Sequence, residues 1–413
     1  MADTCAGHIL VVDDNRMNRL KLARGLENQG HSVALAENGI QALEMVKNHT
    51  YDLILLDILM PEMDGYHVLE KLKYDDALRD IPVIVISAID EMDSIIKCIE
   101  MGAEDYLPKP FDAVLLKARI GAALEKKRLR DQEQLYAKSM ERDLEIGRQI
   151  QSSFFPEFLP QVPGWEIASR FQAARQVSGD FYDAFILSGD SGVGIIVADV
   201  CDKGVGAALF MGLIRSLIRA FSELYYQRSW TTLIDDAVMG GDERALPAEQ
   251  ETVFKHPRAL EVILSHINNY IARTHSQANM FATLFWGVID PVSGTISYIN
   301  AGHESAVVIG PNRKITFLEP TGPAVGMMPD MLFQTEQIVM TPGDILIAFT
   351  DGVTEARGTD GEFYGEEKLL NLIKEPAASA GEILDRIEKS LSAHTKGVQQ
   401  SDDITLLTVS RIL

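Results

Sequence analysis

The feature that most limits the fold of this chain is a set of five short apolar runs at even spacing in its first 110 residues. They are HILVVDD, SVALA, DLILLD, VIVISA and DYLPKP, and each has the length of a buried strand. Between them lie segments such as NRLKLARGLENQG, whose apolar residues recur at the spacing of an amphipathic helix. The alternation predicts an α/β domain with a doubly wound, five-stranded parallel sheet, whose ligand site lies beyond the carboxyl ends of the strands.

Charged and hydroxyl side chains stand at those carboxyl ends. Asp13 and Asp14 close the first strand, Asp57 closes the third, Ser87 closes the fourth and Lys109 follows the fifth. Three carboxylates at one sheet edge repel one another unless a cation lies between them, and oxygen ligands of this kind suit Mg²⁺. A carboxylate beside Mg²⁺ and a lysine can act as a nucleophile toward a phosphoryl group, and Asp57 is the candidate. For any one of these residues, a solvated loop position is an open alternative.

The motifs VVDD, LLDILMPEMDG, ISA and YLPKP resemble a response-regulator receiver domain over residues 7–122. The resemblance implies that a sensor histidine kinase phosphorylates Asp57 and that the Lys109–Pro110 peptide is cis. It also implies a Mg²⁺ ion and a set of switch residues. The implied Mg²⁺ ligands are Asp13, Asp14, Asp57 and the carbonyl of Leu59, and the implied switch residues are Ser87, Tyr106 and Lys109.

A long segment without Gly or Pro, from Ala122 to Ile146, follows this region. It is rich in helix formers with interleaved opposite charges, so we predict a helix from Asp112 to Ser153 of about 40 residues, or roughly 60 Å. Its apolar residues follow a broken heptad, which favours a dimeric coiled coil and leaves a solvated surface helix as the alternative. The domain boundaries that we predict are 1–122, a helical linker at 123–160, and 161–413.

The C-terminal half has a different pattern, with strand-like runs such as DFYDAFIL, GIIVADV, MFATLFWGVID, TISYINAG and DILIAFTDG, separated by helical segments. This order predicts an α+β domain in which two packed sheets form a β-sandwich flanked by helices. Residues 237–257 lack periodicity, and we interpret them as a surface insertion.

Several of these strands also end in acidic residues: Asp180 in SGDF, Asp199 in VADV and Asp351 in FTDG, with Asp402 and Asp403 opening the last strand. Carboxylates without histidine suit Mn²⁺ or Mg²⁺. A pair of such ions would lower the pKa of a bridging water and hold a phosphate ester for in-line attack, which is phosphatase chemistry. A nucleotide cyclase is an alternative for VSGDFYD at 177–183, but it leaves the later DG and DD pairs unexplained. Exposed loop carboxylates without a metal are the second alternative.

The motifs VSGDFYD, DVCDKGVGAALFM, MFATLF, NAGH, TDGVTEA and SDDITLL resemble the SpoIIE-like branch of the PPM-type serine/threonine phosphatases across residues 145–413. The resemblance implies a metal-dependent protein-serine/threonine phosphatase with two Mn²⁺ or Mg²⁺ ions. It implies that Asp199 bridges the ions and that the Val200 carbonyl is a further ligand. Asp351 and Asp402 would complete one metal site, and Asp180 the other.

Three positions depart from the pattern of that family. Cys201 stands where many relatives carry a histidine proposed as general acid, so the source of the leaving-group proton stays open. Asp202 replaces a glycine common in the branch. His303 in GHES lacks the prolines that usually follow this histidine, and we predict a structural role for His303. Arg175, five residues before Asp180, is a candidate ligand of the substrate phosphate, with an ordinary surface arginine as the open alternative.

Composition limits the partners and the compartment. The 38 basic and 60 acidic residues give a net charge of −22, which argues against nucleic acid as a partner. The N-terminus has no basic segment followed by a long apolar one, and no apolar run approaches membrane-spanning length, so we expect a cytoplasmic protein without a membrane partner. Its three cysteines lack the spacing of a disulfide framework or zinc site.

Together these patterns predict a response regulator in which phosphorylation of Asp57 controls the phosphatase through the helical linker, with a homodimer formed by that linker. The resemblance implies a phosphorylated anti-sigma-factor antagonist in a partner-switching pathway as substrate. Two alternatives stay open. The phosphatase-like domain could be a catalytically silent adaptor that binds a partner under receiver control, or the receiver could be a phosphate sink or dimerisation module beside a constitutive phosphatase.

Overall fold

The computed structural model describes residues 6–87, 92–110, 112–187, 192–226, 258–377 and 379–412. The predicted insertion at 237–257 therefore lies outside the described residues. The chain divides into two compact units, Met1–Glu141 and Arg142–Leu413.

The first unit is built around a five-stranded sheet of parallel strands in the order β2-β1-β3-β4-β5. Its strands are β1 His8–Val12, β2 Ser32–Ala36, β3 Leu53–Asp57, β4 Val83–Ser87 and β5 Asp105–Pro108. Its helices are α1 Arg16–Glu27, α2 Gly39–Asn48, α3 Gly65–Tyr74, α4 Met92–Glu100 and the start of α5 Ala113–Ser152. Every residue of β3 and β4 is buried, because helices cover both faces of the sheet. The predicted doubly wound sheet is confirmed.

Side-chain caps fix where the first three helices begin. Asn15 accepts hydrogen bonds from backbone N–H groups at the start of α1, Asn38 does so for α2 and Asp64 for α3. Each cap satisfies donors that the first helical turn leaves unpaired. The chain therefore turns from strand to helix within a few residues, and the strand ends stay open to solvent at one edge.

The second unit contains two five-stranded sheets, in the orders β13-β10-β9-β8-β7 and β12-β11-β14-β15-β6. The strands of the first sheet are β7 Phe181–Leu187, β8 Gly192–Val200, β9 Ala282–Ile289, β10 Thr295–Ala301 and β13 Glu336–Val339. Those of the second are β6 Trp165–Gln172, β11 Ala306–Ile309, β12 Ile315–Leu318, β14 Ile345–Phe349 and β15 Ile404–Arg411. The helices are α6 Val205–Tyr226, α7 Ala259–Thr274, α8 Asp351–Thr354, α9 Glu366–Ile373 and α10 Ala380–His394.

Three apolar layers hold this unit together. Phe285, Ile296 and Leu407 belong to the layer between the two sheets. Helices α6 and α7 pack on the outer face of one sheet, and helices α8 to α10 pack on the outer face of the other. The predicted β-sandwich flanked by helices is confirmed. The acidic motifs lie at or next to the ends of its strands.

Helix α5, Ala113–Ser152, confirms the predicted long helix, within one residue at each end. Leu116, Ile120 and Leu124 are buried in the core of the first unit, whereas Leu129 and Met140 are exposed. Its C-terminal residues thus carry apolar side chains that the packing of the first unit does not use.

Helix α6 is long and apolar enough to cross a membrane by length and composition alone, and no other helix in the described part of the chain meets that test. The core helix of a globular domain meets the same test. Ile214 and Ile218 of α6 are fully buried. Two arginines of α6 form ion pairs with the buried Asp183 of β7: Arg215 Nε lies 3.0 Å from Asp183 Oδ2, and Arg219 Nη2 lies 2.6 Å from Asp183 Oδ1. These contacts account for α6 as a helix of the sandwich core.

Candidate phosphoacceptor and metal sites

The carboxyl edge of the parallel sheet brings three of the predicted site residues together. Oxygen atoms of Asp13, Asp14 and Asp57 lie within 4.8 Å of one another. Lys109 Nζ donates to Asp57 Oδ2 at 2.7 Å and to Asp13 Oδ2 at 2.8 Å. Asp13 and Asp57 are buried and Asp14 is exposed, so the cluster opens toward solvent on one side. Neighbouring parallel strands end at the same edge, and this is why residues far apart in sequence meet here.

The charges at this edge are strongly coupled. Burial raises the pKa of Asp57, and the hydrogen bond from Lys109 acts in the opposite direction. Burial acts to lower the pKa of Lys109, but its hydrogen bonds to Asp13 and Asp57 outweigh burial and raise it. Lys109 is therefore a fixed positive charge beside a carboxylate that lacks enough solvation, which is the environment a nucleophilic carboxylate needs.

The remaining predicted residues of this edge lie around the cluster. Ser87 is fully buried at the end of β4, and the hydroxyl of the buried Tyr106 donates to the Ser87 carbonyl at 3.4 Å. The Leu59 side chain is exposed, and the Lys109–Pro110 peptide is cis, as the resemblance implied. Gly65, which sequence reasoning did not select, packs so closely that a Cβ atom there would collide with the Asp57 carbonyl.

In the second unit, Asp180 is buried and held by two hydroxyl groups. Its Oδ2 accepts hydrogen bonds from Thr350 Oγ1 at 2.7 Å and from Thr405 Oγ1 at 2.8 Å. Thr350 precedes α8, and Thr405 lies in β15. The sequence analysis missed both threonines, although each is a neighbour of a predicted acidic ligand: Thr350 adjoins Asp351, and Thr405 lies three residues after Asp402.

Asp199, at the end of β8, shares a hydrogen bond with Asp180. Burial raises the pKa of Asp180 well above its usual value, and the charge of Asp199 adds to the shift. Burial likewise raises the pKa of Asp199 to about 7, with the charge of Asp351 as the next cause. Asp180 is buried and Asp199 is half-buried. Two such carboxyl groups in contact do not readily both ionise without a compensating cation, so the pair has the electrostatics of a cation site.

Asp351 and Asp402 lie beside this pair on other elements. Asp351 begins α8, and burial followed by the charge of Asp402 raises the pKa of Asp351. Asp402 Oδ2 lies 2.7 Å from the Nζ atom of Lys203. Among the described residues, the cluster at Asp57 is the one group of three or more candidate ligands within 4.8 Å of one another. The carboxylates of the second unit are therefore more widely spaced than those at the parallel sheet.

Asp403, the second acid of the DD pair, positions the loop that leads to Asp180. Its Oδ1 accepts from the Ala174 N–H at 2.7 Å, and its Oδ2 accepts from Ser178 Oγ at 2.7 Å and the Gly179 N–H at 3.0 Å. Each oxygen of Asp403 is thus engaged in holding protein. The oxygens of Asp402 are engaged as well: Oδ1 accepts from the Asp403 N–H at 2.9 Å, and Oδ2 contacts Lys203.

Two glycines allow main-chain groups to approach the carboxylates. A Cβ atom at Gly179 would lie 2.8 Å from the Val200 carbonyl oxygen, the predicted main-chain ligand. A Cβ atom at Gly352 would collide with the Asp403 carbonyl. Both positions therefore require glycine. The oxygen-only donor set, the closely approached Val200 carbonyl and the uncompensated acid pair all fit hard divalent cations such as Mn²⁺ or Mg²⁺.

A small cavity of about 170 Å³ opens on this cluster, lined by Asp199, Thr283, Gly302, His303, Glu304 and Asp351. His303 is buried, its Nδ1 lies 2.8 Å from Thr283 Oγ1, and burial lowers its pKa to about 4, so it is neutral near pH 7. Burial and then the charge of Asp351 raise the pKa of Glu304. Sequence reasoning missed Glu304, because its position after His303 gave no signal that the loop turns back to Asp351.

The three remaining sequence-selected positions have distinct surroundings. Cys201 is half-buried, its Sγ accepts from the Phe281 N–H at 3.1 Å, and burial raises the pKa of its thiol. Asp202 has φ +73°, in the left-handed region, which glycine adopts more readily than other residues. Arg175 is exposed five residues before Asp180.

Comparison with known proteins finds a family match for each half of the chain. Residues 189–412 match the family model of Stage II sporulation protein E (SpoIIE), which is more than half of the 413 residues. The chain belongs to the SpoIIE family. Residues 9–121 match the response regulator receiver domain, so the chain joins a receiver to a PPM-type SpoIIE domain. Both resemblances seen in the sequence are confirmed, and neither match favours the cyclase alternative.

Individual relatives cover different parts of this SpoIIE-family chain. Protein IcfG of Synechocystis is 44% identical over 269 residues, which are 65% of this chain and 41% of that protein. The response regulator MprA of Mycobacterium ulcerans is 41% identical over 125 residues, which are 30% of this chain and 53% of that protein. The chain thus spans about half or less of the length of either relative.

One solved structure supports the fold of the SpoIIE domain. The SiaA-PP2C domain of Pseudomonas aeruginosa superposes with a TM-score of 0.50 at 19% identity, covering 67% of this chain and 98% of that one. At that identity the likeness concerns the fold alone.

Proposed function

We propose that the protein is a response regulator whose SpoIIE domain is a Mn²⁺- or Mg²⁺-dependent protein-serine/threonine phosphatase controlled by phosphorylation of Asp57. The observation that carries the proposal is the contact between the buried Asp180 and the half-buried Asp199 in a SpoIIE-family domain, with Asp351 close enough to raise the pKa of Asp199. Such an acid pair is costly to keep in a fold unless cations compensate it.

The residues that would hold the ions are Asp180, Asp199, Asp351 and Asp402 with the Val200 carbonyl. When bound, the ions supply Lewis-acid activation of water and neutralise charge on the phosphate ester. Thr350 and Thr405 hold the Asp180 carboxylate in one orientation, and Asp403 fixes the loop before it, so the ligands are arranged before any ion binds.

The substrate in this proposal is a phosphoserine or phosphothreonine on a protein, specifically an anti-sigma-factor antagonist in a partner-switching pathway. The cavity at Asp199 is only about 170 Å³, which suits a phosphorylated side chain and leaves the rest of a protein substrate outside. Arg175 is a candidate phosphate ligand. The sensor histidine kinase that phosphorylates Asp57 and a cytoplasmic location belong to the same proposal.

Control by the receiver requires a route to the metal ligands, and α5 offers one within the second unit. Gln151 of α5 is buried, its Nε2 donates to the Ser178 carbonyl at 2.6 Å, and its Oε1 accepts from the Ser178 N–H at 3.0 Å. Ser178 in turn donates to Asp403 and stands two residues before Asp180. A displacement of α5 would therefore act directly on the loop of a proposed metal ligand.

The proposed phosphatase activity is tested by hydrolysis of p-nitrophenyl phosphate by the full chain with and without Mn²⁺. We expect metal-dependent hydrolysis that EDTA abolishes and that Asp351→Ala reduces by at least a hundredfold. Asp360→Ala is the matched control, because Asp360 is an exposed aspartate in the turn after α8, and it should keep the wild-type rate.

Two outcomes would favour the alternatives. Mn²⁺ binding without hydrolysis of either p-nitrophenyl phosphate or a phosphoserine protein would support a silent adaptor. Hydrolysis that is identical with and without residues 1–120 and insensitive to Asp57 would support a constitutive phosphatase beside a phosphate sink.

A further inference from the structure

Lys203 places a positive charge directly on one of the proposed metal ligands. Its Nζ lies 2.7 Å from Asp402 Oδ2 and donates to the Ser401 carbonyl at 2.8 Å. Both side chains are only partly exposed, at 38% for Lys203 and 29% for Asp402. The ammonium group is therefore engaged by one carboxylate oxygen of a proposed metal ligand, although the lysine side chain is partly in contact with solvent.

The same charge acts on the neighbouring ligand. Burial, then the charges of Asp402 and Glu355, raise the pKa of Asp351, and Lys203 acts against them. The ammonium group contacts the Asp402 carboxylate and also acts on the Asp351 carboxylate. It therefore partly replaces the cation that these two carboxylates require.

The backbone holds Lys203 in this position. The residue lies in the loop between β8 and α6, flanked by Asp202 at φ +73° and Gly204 at φ +92°. Asp202 Oδ1 accepts from the Lys203 N–H at 2.8 Å, which closes a local turn. The side chain thus starts from a fixed point four residues after Asp199, and its ammonium is a tethered cation rather than a freely moving one.

We propose that Lys203 competes with the metal ion for Asp402 and thereby sets the metal affinity of the site. The inference rests on the proposed metal-dependent function. An ion that binds Asp402 Oδ2 would displace Lys203, and an ion that binds Oδ1 would be repelled by the ammonium group on the same carboxylate. Two effects then weaken the observed affinity for the metal: the ion pair between Lys203 and Asp402 is lost, and the positive charge of Lys203 repels the ion.

The test is calorimetric titration of Mn²⁺ into the metal-free full chain. Every protein carries Asp13→Asn and Asp14→Asn, so that the carboxylates of the receiver do not contribute. Lys203→Met should bind Mn²⁺ about three- to tenfold more tightly than the parent protein, as expected for loss of one partly exposed ion pair and one like charge. Lys203→Arg keeps the charge and should stay near the parent affinity.

Lys389→Met is the matched control, since Lys389 is an exposed lysine of α10 and its loss changes the net charge equally. It should leave the affinity unchanged. Lys203→Gln is a second neutral variant, used together with circular dichroism in case Lys203→Met does not fold.

Equal or weaker Mn²⁺ binding by folded Lys203→Met and Lys203→Gln would overturn the inference while leaving the metal site intact. Tighter binding by Lys389→Met to the same extent would also overturn it, because the effect would then be one of net charge. No Mn²⁺ binding by the parent protein would contradict the proposed function itself.

Discussion

At the scale of single residues, the decisive pair is Asp180 and Asp199. The pKa of Asp199 is raised to about 7 by burial and by Asp351, whereas an aspartate in an unfolded chain titrates near 4. Between these values the metal-free folded state binds a proton that the unfolded state has released. The stability of the metal-free protein must therefore fall as the pH rises from about 4 to about 7.

This predicts a pH-dependent difference in thermal stability. In EDTA, the Tm of the wild-type protein should fall more steeply between pH 5 and pH 7.5 than the Tm of Asp199→Asn, which lacks the Asp199 carboxyl group and its repulsion of Asp180. Differential scanning calorimetry measures both slopes. Parallel slopes for the two proteins would contradict the assignment of the raised pKa to this pair.

The same titration predicts proton release on metal binding. Near pH 7 the cation must displace a proton shared by Asp180 and Asp199, because only ionised carboxylates are good ligands. Mn²⁺ titrations in two buffers of different ionisation enthalpy should therefore give different heats. The difference should correspond to the release of about one proton from the second unit to the buffer. Identical heats in the two buffers would show that the pair is already ionised.

Glycines define a third residue-scale prediction. Gly352→Ala should destabilise the second unit by about 2 kcal/mol or more, because the added methyl group would collide with the Asp403 carbonyl, which is backbone and cannot move aside. Gly121→Ala is the matched control: nothing lies within 4 Å of a Cβ atom there, and it should stabilise α5 by about 0.5–1 kcal/mol. Calorimetric melting of both variants tests the contrast.

At the scale of elements, the sequence pattern predicted the parallel sheet and the longer strands and helices of the second unit, but not the shortest strands of the second unit. Strands β11, β12 and β13 have only four residues each, too few to establish an alternating pattern. The parallel sheet was predictable because its five apolar runs alternate with amphipathic segments, and because four of the five runs end in or are followed by a distinctive polar residue. Helix α5 was predictable because residues 122–146 lack Gly and Pro and are rich in helix formers with interleaved opposite charges.

The same limit applies to the candidate site. Acidic residues at strand ends signalled Asp180, Asp199 and Asp351, since each stands beside a recognisable strand. The partners of these residues were not predictable, because Thr405 meets Asp180 across 225 positions of sequence. Nothing local distinguishes such a threonine from any other strand residue.

Helix α5 carries the element-scale prediction on coupling. Gln151→Ala removes both hydrogen bonds to Ser178 and leaves a buried N–H and carbonyl unpaired, at a cost of about 1–3 kcal/mol. We expect the ratio of phosphatase rates with and without beryllofluoride to move toward one. Gln149→Ala, which changes an exposed residue two positions earlier, should keep the wild-type ratio. Equal ratios for the two variants would exclude this route.

The exposed apolar residues of α5 carry a prediction on assembly. Leu129 and Met140 are 54% and 58% exposed, and burying them against a second copy is the role that we propose for a coiled coil. Leu129→Glu with Met140→Glu should convert a dimer into a monomer in sedimentation equilibrium, whereas Lys138→Glu, a control on the same helix, should not. A monomeric wild-type protein would contradict the proposed dimer.

At the scale of the whole molecule, two chemically unrelated acidic sites occur in one chain. The receiver site has three carboxylates and Lys109 at the edge of a parallel sheet, and the SpoIIE site has carboxylates at strand ends of a sandwich. The first is suited to accept a phosphoryl group and the second to hydrolyse one. Their presence in one chain is the reason to propose that the first controls the second.

That control is tested most directly by the initial rate of p-nitrophenyl phosphate hydrolysis by the full chain in Mn²⁺, with and without beryllofluoride as a mimic of phosphorylated Asp57. We predict that beryllofluoride changes the wild-type rate and leaves the rate of folded Asp57→Ala unchanged. A wild-type rate that does not respond to beryllofluoride, or an Asp57→Ala rate that responds equally, would contradict a receiver-controlled phosphatase.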